Sequence, residues 1–469
     1  MSGIYIHIPF CKQACSYCDF YFVTRDRMIP AFVDALVHEI SVVPVSGGSP
    51  FPGDPVRTLY FGGGTPSRLP ATQTRRIFEA LHQRFDLSGL TEFTVEVNPE
   101  DVTRELLSGL RDLGVTRLSM GIQSFQPDLL EFMHRAHSAQ QAHRALEQVA
   151  AAGFSSYSVD LIYGCPGQTR EQLLDDLDKL LAYHPPHVSA YSLTIEPRTR
   201  LGKQAALGRL EPADDESVAA QARLIRETLA SHDIHRYEIS NYASPGEEAE
   251  HNSAYWSHEN YLGLGPSSHT FFWPGGGRKR DREGEGEGTG IGEGEWKRVQ
   301  EPISLAVRWH HPHDIHTYGQ LVQSDGYRVW VDAVLGAPPK NRHGSMDASQ
   351  NNGPDTTMDA SQTALPDAPH PGLPEGTSSP GGIVPPDGLQ SEWLSLKTLA
   401  GERLMTGLRT SAGVDPKEFH ARYGHALSTS QAKHVAEFRR RGLMVPDDPL
   451  RLTEAGFELA DAIILRLFD

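Results

Sequence analysis

The stretch IYIHIPFCKQACSYCDF, residues 4–20, holds three of the four cysteines of this 469-residue chain. Its first seven residues are rich in β-branched and aromatic types and predict a buried strand, so the cysteines lie on the loop directly after that strand. The spacing Cys11-x3-Cys15-x2-Cys18 lets three thiolates face a common centre. Disulfides are the alternative, but cysteines this close together do not join distant segments. The stretch therefore predicts a metal centre.

The number of thiolates favours an iron-sulfur cluster over zinc. Three thiolates suit three irons of a cubane, whereas a structural zinc needs four ligands. The nearest fourth candidate, His7, lies inside the predicted strand, and Cys165 follows a different strand among turn-forming residues, which favours a loop or core role. We therefore expect Cys11, Cys15 and Cys18 to hold a 4Fe-4S cluster that leaves one iron without a protein ligand.

From residue 3 to about residue 240, short β-rich runs alternate with amphipathic helical patterns. This alternation is typical of repeated βα units around a parallel sheet and predicts an α/β fold with a partial TIM-like (β/α) barrel. Ligands of such folds lie at the carboxyl ends of the strands. The predicted strands lie at residues 3–8, 57–61, 92–97, 117–120, 155–162, 188–193 and 234–239, and the predicted helices at residues 29–42, 72–85, 103–113, 139–151 and 170–181.

The pattern changes after the predicted barrel, which takes residues 1–240. Residues 241–336 begin with a segment rich in His, Asn and aromatic residues and are expected to cap the active site; they include a flexible Gly/Glu tract at 274–296. Residues 337–388 are rich in Pro, Gly, Ser and Asp and contain MDASQ twice, which predicts a disordered insertion. Apolar periodicity returns in residues 389–469 and predicts a small helical domain with a winged element.

The overall charge argues against nucleic acid as a partner. Lysine and arginine number 43 against 60 aspartates and glutamates, a formal charge of -17. This balance also argues against DNA binding by the predicted winged element. The N-terminus lacks the pattern of a signal peptide, and no apolar run approaches the roughly 18 residues of a membrane span. We therefore expect a soluble, cytoplasmic protein.

In order along the chain, the motifs resemble those of the radical S-adenosylmethionine (SAM) family, and more narrowly its coproporphyrinogen III oxidase-like branch. The opening stretch is followed by FGGGTPS, TVEVNPE, SMGIQSF, HRAH, SVDLIYGCPGQT, YSLTIEP and YEISNYA. The resemblance covers most of residues 3–330 and, more loosely, residues 390–469. It implies that SAM binds at the open iron of the cluster and that Tyr17, inside the cysteine loop, covers the cofactor. The positions that align with SAM-contacting residues are Tyr5, Gly63, Gly64, Thr65, Glu96, Gln123, Arg135 and Asp160.

The residue types at these positions suit SAM. Glycines remove side chains, so that the backbone can approach the methionine moiety. Glu96, Gln123, Arg135 and Asp160 supply charges and an amide near strand ends, which fit a zwitterionic amino acid and ribose hydroxyls. Any one of them alone is more often a solvated or salt-bridged residue, and Gly62–Gly64 alone is also consistent with a plain tight turn.

Two functions compete within this branch: oxygen-independent coproporphyrinogen III oxidase of porphyrin biosynthesis, and the HemW-type haem chaperones, which bind haem and pass it to acceptor proteins. Oxidases carry a further cysteine two residues after the third, where this chain has Phe20. They also have a long segment ahead of the cluster, whereas ten residues precede Cys11 here. The resemblance therefore implies a haem chaperone without oxidase activity. The oxidase is the alternative, and a cluster-bearing binding protein without radical chemistry is a third.

The segment HNSAYW, residues 251–256, resembles the HNxxYW segment linked to haem binding in HemW-type proteins. Imidazole is a good axial ligand for haem iron, and Tyr255 and Trp256 offer flat apolar faces to a porphyrin. We expect His251 to ligate haem, with His258 and His269 as alternatives; a purely capping role is the other interpretation. The expected partners are haem, haem-acceptor proteins, including a membrane-associated acceptor, and an electron donor for the cluster.

Overall fold

The strands of the computed structural model, which describes residues 2–273, 306–336 and 384–468, all join one sheet. The predicted tract at 274–296 and the predicted insertion up to residue 383 lie outside the described residues. The strands are β1 Ser2–Ile8, β2 Val56–Gly63, β3 Glu92–Val97, β4 Arg117–Gln123, β5 Ser156–Tyr163, β6 His187–Ser192, β7 His235–Arg236, β8 Asn241–Ala243, β9 Asn260–Leu264, β10 His269–Phe272, β11 Ala306–His310 and β12 Gln390–Leu394.

The helices alternate with the strands in the first half of the chain and dominate its end. They are α1 Ile29–Val42, α2 Ala71–Arg84, α3 Arg104–Asp112, α4 Pro127–Phe132, α5 Ala139–Ala152, α6 Arg170–Leu181, α7 Arg200–Ala206, α8 Asp215–Ala230, α9 Glu250–Trp256, α10 Ile315–Val322, α11 Asp325–Leu335, α12 Leu396–Gly407, α13 Pro416–Tyr423, α14 Thr429–Arg440, α15 Glu454–Phe457 and α16 Ala460–Phe468.

The sheet is open, with the order β12-β11-β10-β9-β1-β2-β3-β4-β5-β6-β8-β7. The seven strands from β9 to β6 in this order pair in parallel, whereas β10, β11 and β12 extend the β9 side and β8 and β7 the β6 side by antiparallel pairing. The two end strands, β12 and β7, do not pair with each other. This confirms the predicted α/β fold with a partial, unclosed barrel.

Local capping explains why the predicted helix bounds lie so close to the observed ones. Ser138 and Gln141 form a capping box at the start of α5, which ends at Gly153 in the left-handed region, with a φ of 72°. Thr169 and Gln172 form the same box at the start of α6. Such caps satisfy backbone groups that the first helical turn leaves without partners, so they mark helix ends within the sequence itself.

Two parts of the predicted organisation differ from the structure. The strand predicted at 234–239 is reduced to β7, because the chain turns at Glu238, whose carboxylate accepts hydrogen bonds from the Ser240 backbone and the Asn241 amide. The segment after residue 240 does more than cap the site, since β9 pairs in parallel with β1, from Ser2 opposite Asn260 onward. The sheet therefore continues where sequence periodicity predicted its end.

The main core lies between the parallel sheet and the helices that cover it. Ile4, Ile6 and Ile8 of β1 have no exposed surface. Burying an aliphatic side chain of this size contributes about 1.5–3 kcal/mol relative to leaving it exposed. A second core joins α12–α16 to the end of β10 through Phe271 and Trp273. The C-terminal helices therefore pack directly against the extended side of the sheet.

The C-terminal region contains short antiparallel pairings between its helices. Val414 pairs with Leu450, and Met444 pairs with Leu452. The second pairing forms a short hairpin between α14 and α15, in the region where the sequence predicts a winged element. Within the described ranges, none of the helices combines the length and apolarity needed to cross a membrane.

A buried carboxylate links α1 to the extended part of the sheet. Glu39 accepts hydrogen bonds from the hydroxyls of Tyr318 and Tyr327, at 2.5 and 2.7 Å, and from the backbone N–H of Gly265 at 3.0 Å. His311 Nε2 lies 2.8 Å from the same carboxylate. Against the effect of burial, these donors hold the pKa of Glu39 below its ordinary value. One side chain therefore joins α1, α10, α11 and the loops after β9 and β11.

We expect Glu39→Ala to lower the free energy of unfolding by about 3 kcal/mol, because it leaves several buried donors without an acceptor. Urea or thermal denaturation followed by far-UV circular dichroism measures the change. Glu79→Ala, at an exposed position of α2, is the control and is expected to shift stability by no more than about 0.5 kcal/mol. Equal stability of the two variants would show that the Glu39 network does not hold these elements together.

Candidate functional site

The cysteine loop leaves the carboxyl end of β1 and is fixed by backbone hydrogen bonds on two sides. Cys11 N donates to Val23 O at 2.9 Å within the loop. Ser16 N donates to Met133 O at 3.1 Å, and its hydroxyl donates to Phe132 O at 2.9 Å, which ties the loop to the end of α4. Cys165 is buried in a small apolar cluster beneath this loop, which agrees with the core role expected for it.

The three loop thiols share one electrostatic environment around a guanidinium group. Arg135 Nη1 lies 3.4 Å from Cys15 Sγ, and Thr65 Oγ1 lies 3.6 Å from Cys11 Sγ. Burial is the largest cause that raises the pKa of Cys11 to about 11 and of Cys18 to about 12, and the neighbouring thiols raise both further. Arg135 opposes this effect, since its positive charge favours the thiolate forms. Burial thus disfavours the thiolate forms at this loop, and a bound metal centre would stabilise them.

The donor set fits a cluster held by three protein thiolates. The donors are soft sulfur atoms, and each partly exposed thiol lies on the same loop. In the part of the chain that the structure describes, no three His, Cys, Asp or Glu side chains are already grouped as a site for a single metal ion. A 4Fe-4S cluster bound here would supply one electron and an iron open to a further ligand. Cys11, Cys15 and Cys18 are the residues that would hold it.

A glycine turn and a buried carboxylate lie beside the loop at the end of β2. Gly63 has a φ of 109°, and a Cβ atom there would lie 2.6 Å from the His7 ring, so only glycine fits. Its N–H donates to Glu96 Oε2 at 3.1 Å, and the Tyr60 hydroxyl donates to Glu96 Oε1 at 2.8 Å. Burial raises the pKa of Glu96 to about 7 despite these donors. A cationic amino group beside Glu96 would stabilise its charged form.

Polar side chains at the ends of three neighbouring strands, β2, β3 and β4, meet next to this glycine turn. Asn98 donates to Thr65 Oγ1 at 2.9 Å and accepts from Arg135 Nη2 at 2.7 Å. Gln123 has a φ of 67°, a strained value for a residue other than glycine. Two buried atoms of these described residues, Gln123 Oε1 and Arg135 Nε, have no hydrogen-bond partner. Such orphaned polar atoms indicate room for a polar ligand.

The remaining predicted SAM-contacting positions lie on the same edge or close to it. Tyr5 stacks on Tyr60 with ring centroids 5.9 Å apart. The Asp160 carboxylate accepts from the Ser119 hydroxyl at 3.3 Å, and burial raises its pKa. The Tyr17 hydroxyl lies 3.5 Å from Arg135 Nη1. That Tyr17 covers the cofactor stays a prediction. One contributor was not singled out from the sequence, the Tyr60 hydroxyl.

Of the three histidines considered for haem iron, only His269 is exposed. His251 is buried; its Nδ1 lies 2.7 Å from Thr58 Oγ1 and its Nε2 2.8 Å from the Tyr255 hydroxyl. His258 is buried against the C-terminal helices, with its Nδ1 3.2 Å from the Tyr423 hydroxyl. Ligation of haem iron through Nε2 would replace the contact with Tyr255 and keep the contact of Nδ1 with Thr58, so the role of His251 as a haem ligand stays a prediction.

Comparisons with known proteins agree with the motifs and the fold. A model of the radical SAM superfamily matches residues 5–180, and one of the HemN C-terminal domain matches residues 394–459. The chain is 37% identical over 274 residues to the haem chaperone HemW of Bacillus subtilis, covering 58% of this chain and 71% of the relative. It is 33% identical over 273 residues to the haem chaperone HemW of Escherichia coli, covering 57% of this chain and 69% of the relative.

One solved structure extends the likeness over nearly the whole chain. Coproporphyrinogen III oxidase (HemN) from Escherichia coli, a radical SAM enzyme, superposes with a TM-score of 0.67 at 18% identity, covering 99% of this chain and 89% of that chain. At this identity the likeness shows the fold alone. Together with the family matches, it confirms the predicted radical SAM fold and the resemblance to the coproporphyrinogen oxidase-like branch.

We expect Cys11→Ser, Cys15→Ser and Cys18→Ser each to abolish the 4Fe-4S absorbance of the reconstituted protein, because each removes one of three thiolate ligands. Cys165→Ser is the matched control and is expected to keep the full absorbance, since this thiol lies in the apolar cluster beneath the loop. Iron and sulfide analysis after anaerobic reconstitution measures the result. Loss of the cluster in folded Cys165→Ser would show that a fourth cysteine is required.

For Glu96 we expect SAM to bind more tightly as the pH rises from about 6 to about 7.5. Because the raised pKa of Glu96 is about 7, its carboxylate ionises over this interval and can pair with the amino group of SAM. Glu96→Gln should bind more weakly, by about tenfold, and lose most of this pH dependence. Equilibrium dialysis with labelled SAM measures both, with exposed Glu105→Gln on α3 as the control. An unchanged pH profile in Glu96→Gln would remove Glu96 from SAM binding.

Proposed function

The chain belongs to the family of the HemW haem chaperones, and from this premise we propose that it binds haem and passes it to haem-acceptor proteins. The observation that carries the proposal is the 37% identity to a haem chaperone over 71% of that relative's length. The match to the radical SAM superfamily implies a 4Fe-4S cluster and SAM. The geometry of the cysteine loop and the adjoining edge supports both cofactors.

The SAM site of this proposal combines residues at or after the carboxyl ends of neighbouring parallel strands. Glu96 is placed for the amino group, beside the glycine turn whose backbone can approach the methionine moiety. Gln123 and Arg135 offer the orphaned polar atoms of the site. Asp160, whose pKa is raised, would contact a ribose hydroxyl. A carboxyl group can donate a hydrogen bond to such a hydroxyl or accept one from it. These residues bind and orient SAM, and none of them needs to transfer a proton.

The alternative, oxygen-independent coproporphyrinogen III oxidase, is not favoured. The structural likeness to such an oxidase is at 18% identity and concerns the fold. The position two residues after Cys18 carries Phe20, whose side chain is 72% exposed, rather than a further cysteine. The proposal includes an electron donor for the cluster, a membrane-associated haem acceptor among the recipients, and action in the cytoplasm.

We expect haem bound to the reconstituted protein to give a distinct Soret band. We also expect the haem-loaded protein to transfer haem to an apo-haemoprotein faster than haem-loaded serum albumin does. Matched reactions with and without SAM and reductant measure whether transfer depends on the cluster. Under the same anaerobic conditions we expect no conversion of coproporphyrinogen III to protoporphyrinogen IX. SAM-dependent formation of that product would replace the proposed function with the oxidase.

A further inference from the structure

The chain makes a strained turn at Gln123, where β4 ends beside the proposed SAM site; residues 122–126 are called the Gln123 turn below. Ser124 N donates to Ile122 O at 2.9 Å, which closes a three-residue turn around Gln123. The φ of Gln123 is 67°. A turn closed in this way with a positive φ at its centre is rare, and it is strained for any residue that carries a Cβ atom. Such strain persists only where the surrounding structure holds it.

The side chain of Gln123 extends from this turn toward the other polar groups of the site. A Cβ atom on Gly121 would lie 2.9 Å from Asn98 Oδ1, 3.0 Å from Gln123 Nε2 and 3.3 Å from Arg135 Nη2, so these side chains converge over a residue that has none. Gln123 Oε1 is buried and has no hydrogen-bond partner within the described part of the chain. A relaxed, negative φ at Gln123 would change the direction of its side chain relative to β4. The strained backbone and the position of the amide therefore belong together.

The carboxylate of Asp176, on α6, binds the residues that directly follow Gln123. It accepts hydrogen bonds from the Ser124 hydroxyl at 2.7 Å, from Phe125 N at 2.8 Å and from Gln126 Nε2 at 3.0 Å. Asp176 and Ser124 are both buried. A buried carboxylate needs such donors, and hydrogen bonds to a charged acceptor are stronger than those between neutral groups. Asp176 therefore fixes the second half of the Gln123 turn.

A buried histidine holds the residue before Gln123. His137 Nε2 lies 3.0 Å from Ile122 O, the same carbonyl that closes the turn. Its other ring nitrogen, Nδ1, lies 3.4 Å from the Glu100 carboxylate, and both side chains are almost completely buried. The strained residue thus lies between two buried anchors. Neither Asp176 nor His137 is among the positions that align with SAM-contacting residues.

The helix that carries Asp176 does not depend on this carboxylate for its own packing. Leu173, Leu177 and Leu180 of α6 belong to the main core, and none of them exposes more than 1% of its surface. The three hydrogen bonds of the Asp176 carboxylate, in contrast, all go to the Gln123 turn. The packed helix therefore serves as a rigid support from which the carboxylate fixes the turn.

We propose that Asp176 is a positioning residue of the SAM site, which holds the Gln123 turn in its strained form so that the Gln123 amide faces the ligand. This assignment rests on the proposed SAM site and deepens it, because it gives a residue outside the aligned positions control over one of them. Asp176 acts through residues 124–126, and it does not itself contact SAM. His137 supports the same turn through one hydrogen bond, against three from Asp176.

Equilibrium dialysis of labelled SAM with the reconstituted full-length protein tests the assignment. Asp176→Asn keeps the size of the side chain but replaces one acceptor oxygen with an NH2 group, so it weakens the anchor of the turn. We expect it to raise the dissociation constant of SAM about tenfold, while the 4Fe-4S absorbance stays unchanged. Asp178→Asn, at an exposed position of the same helix, is the matched control and is expected to bind SAM as the wild type does.

A double-mutant cycle with Gln123→Gly separates positioning from a merely structural role. Glycine adopts a positive φ without strain, so this turn no longer needs the anchor, and it carries no amide to position. We expect Gln123→Gly to weaken SAM binding while keeping or raising the melting temperature. Adding Asp176→Asn to Gln123→Gly should then change the SAM dissociation constant by less than about twofold. A loss of the same size in both backgrounds would show that Asp176 acts on the fold in general, and it would overturn the assignment.

The remaining outcomes separate this assignment from the function on which it rests. A wild-type protein that carries the cluster but does not bind SAM overturns the proposed SAM site and this assignment with it. Wild-type binding of SAM that Asp176→Asn leaves unchanged overturns the assignment alone. If Asp176→Asn does not retain the cluster, Ser124→Ala takes its place in the cycle, because it removes the hydroxyl donor to the same carboxylate. Equal SAM binding by Ser124→Ala and the wild type then overturns the assignment.

Discussion

The pairing of β1 with β2 on one side and with β9 on the other determines where the functional residues lie. β1 is buried along its length, so its carboxyl end cannot move relative to those two neighbours without breaking both ladders. The cysteine loop starts at that end, the glycine turn follows β2, and Gly265, which donates to the buried Glu39, follows β9. Because these strands are parallel, three stretches that are separate in sequence meet at the carboxyl end of the sheet.

Within that edge, Arg135 carries the main fixed positive charge near the thiols. Burial alone would lower the pKa of its guanidinium, but Tyr17, Cys15 and Glu100 raise it, so the group stays charged. Its Nη2 also donates to the Gly121 carbonyl at 2.8 Å, which fixes the group in place. A fixed positive charge favours thiolates over thiols and offsets the negative charge that three thiolates bring to a cluster. The proposed site therefore uses this one side chain both for the cluster and for SAM.

Much of the fold was predicted from local sequence signals, whereas pairing between distant strands was not predicted. α1 and α6 begin and end where periodicity and capping predict, because those signals lie within or beside each helix. β9 to β12 were not predicted, since they are short and depend on pairing with partners that are distant in sequence. Glu39 was also missed. One acid on an amphipathic helix has no local feature that distinguishes a buried carboxylate from a solvated one.

The histidines show the same limit at the level of a single side chain. The motif HNSAYW singles out His251, yet the fold uses this ring to join Thr58 to Tyr255 in the interior. A short motif identifies residue types, whereas burial and hydrogen-bond partners depend on strands that are distant in sequence. The buried contact between Glu39 and His311 shows the same dependence, because these two residues are distant along the chain and meet only where the sheet extends beyond β9.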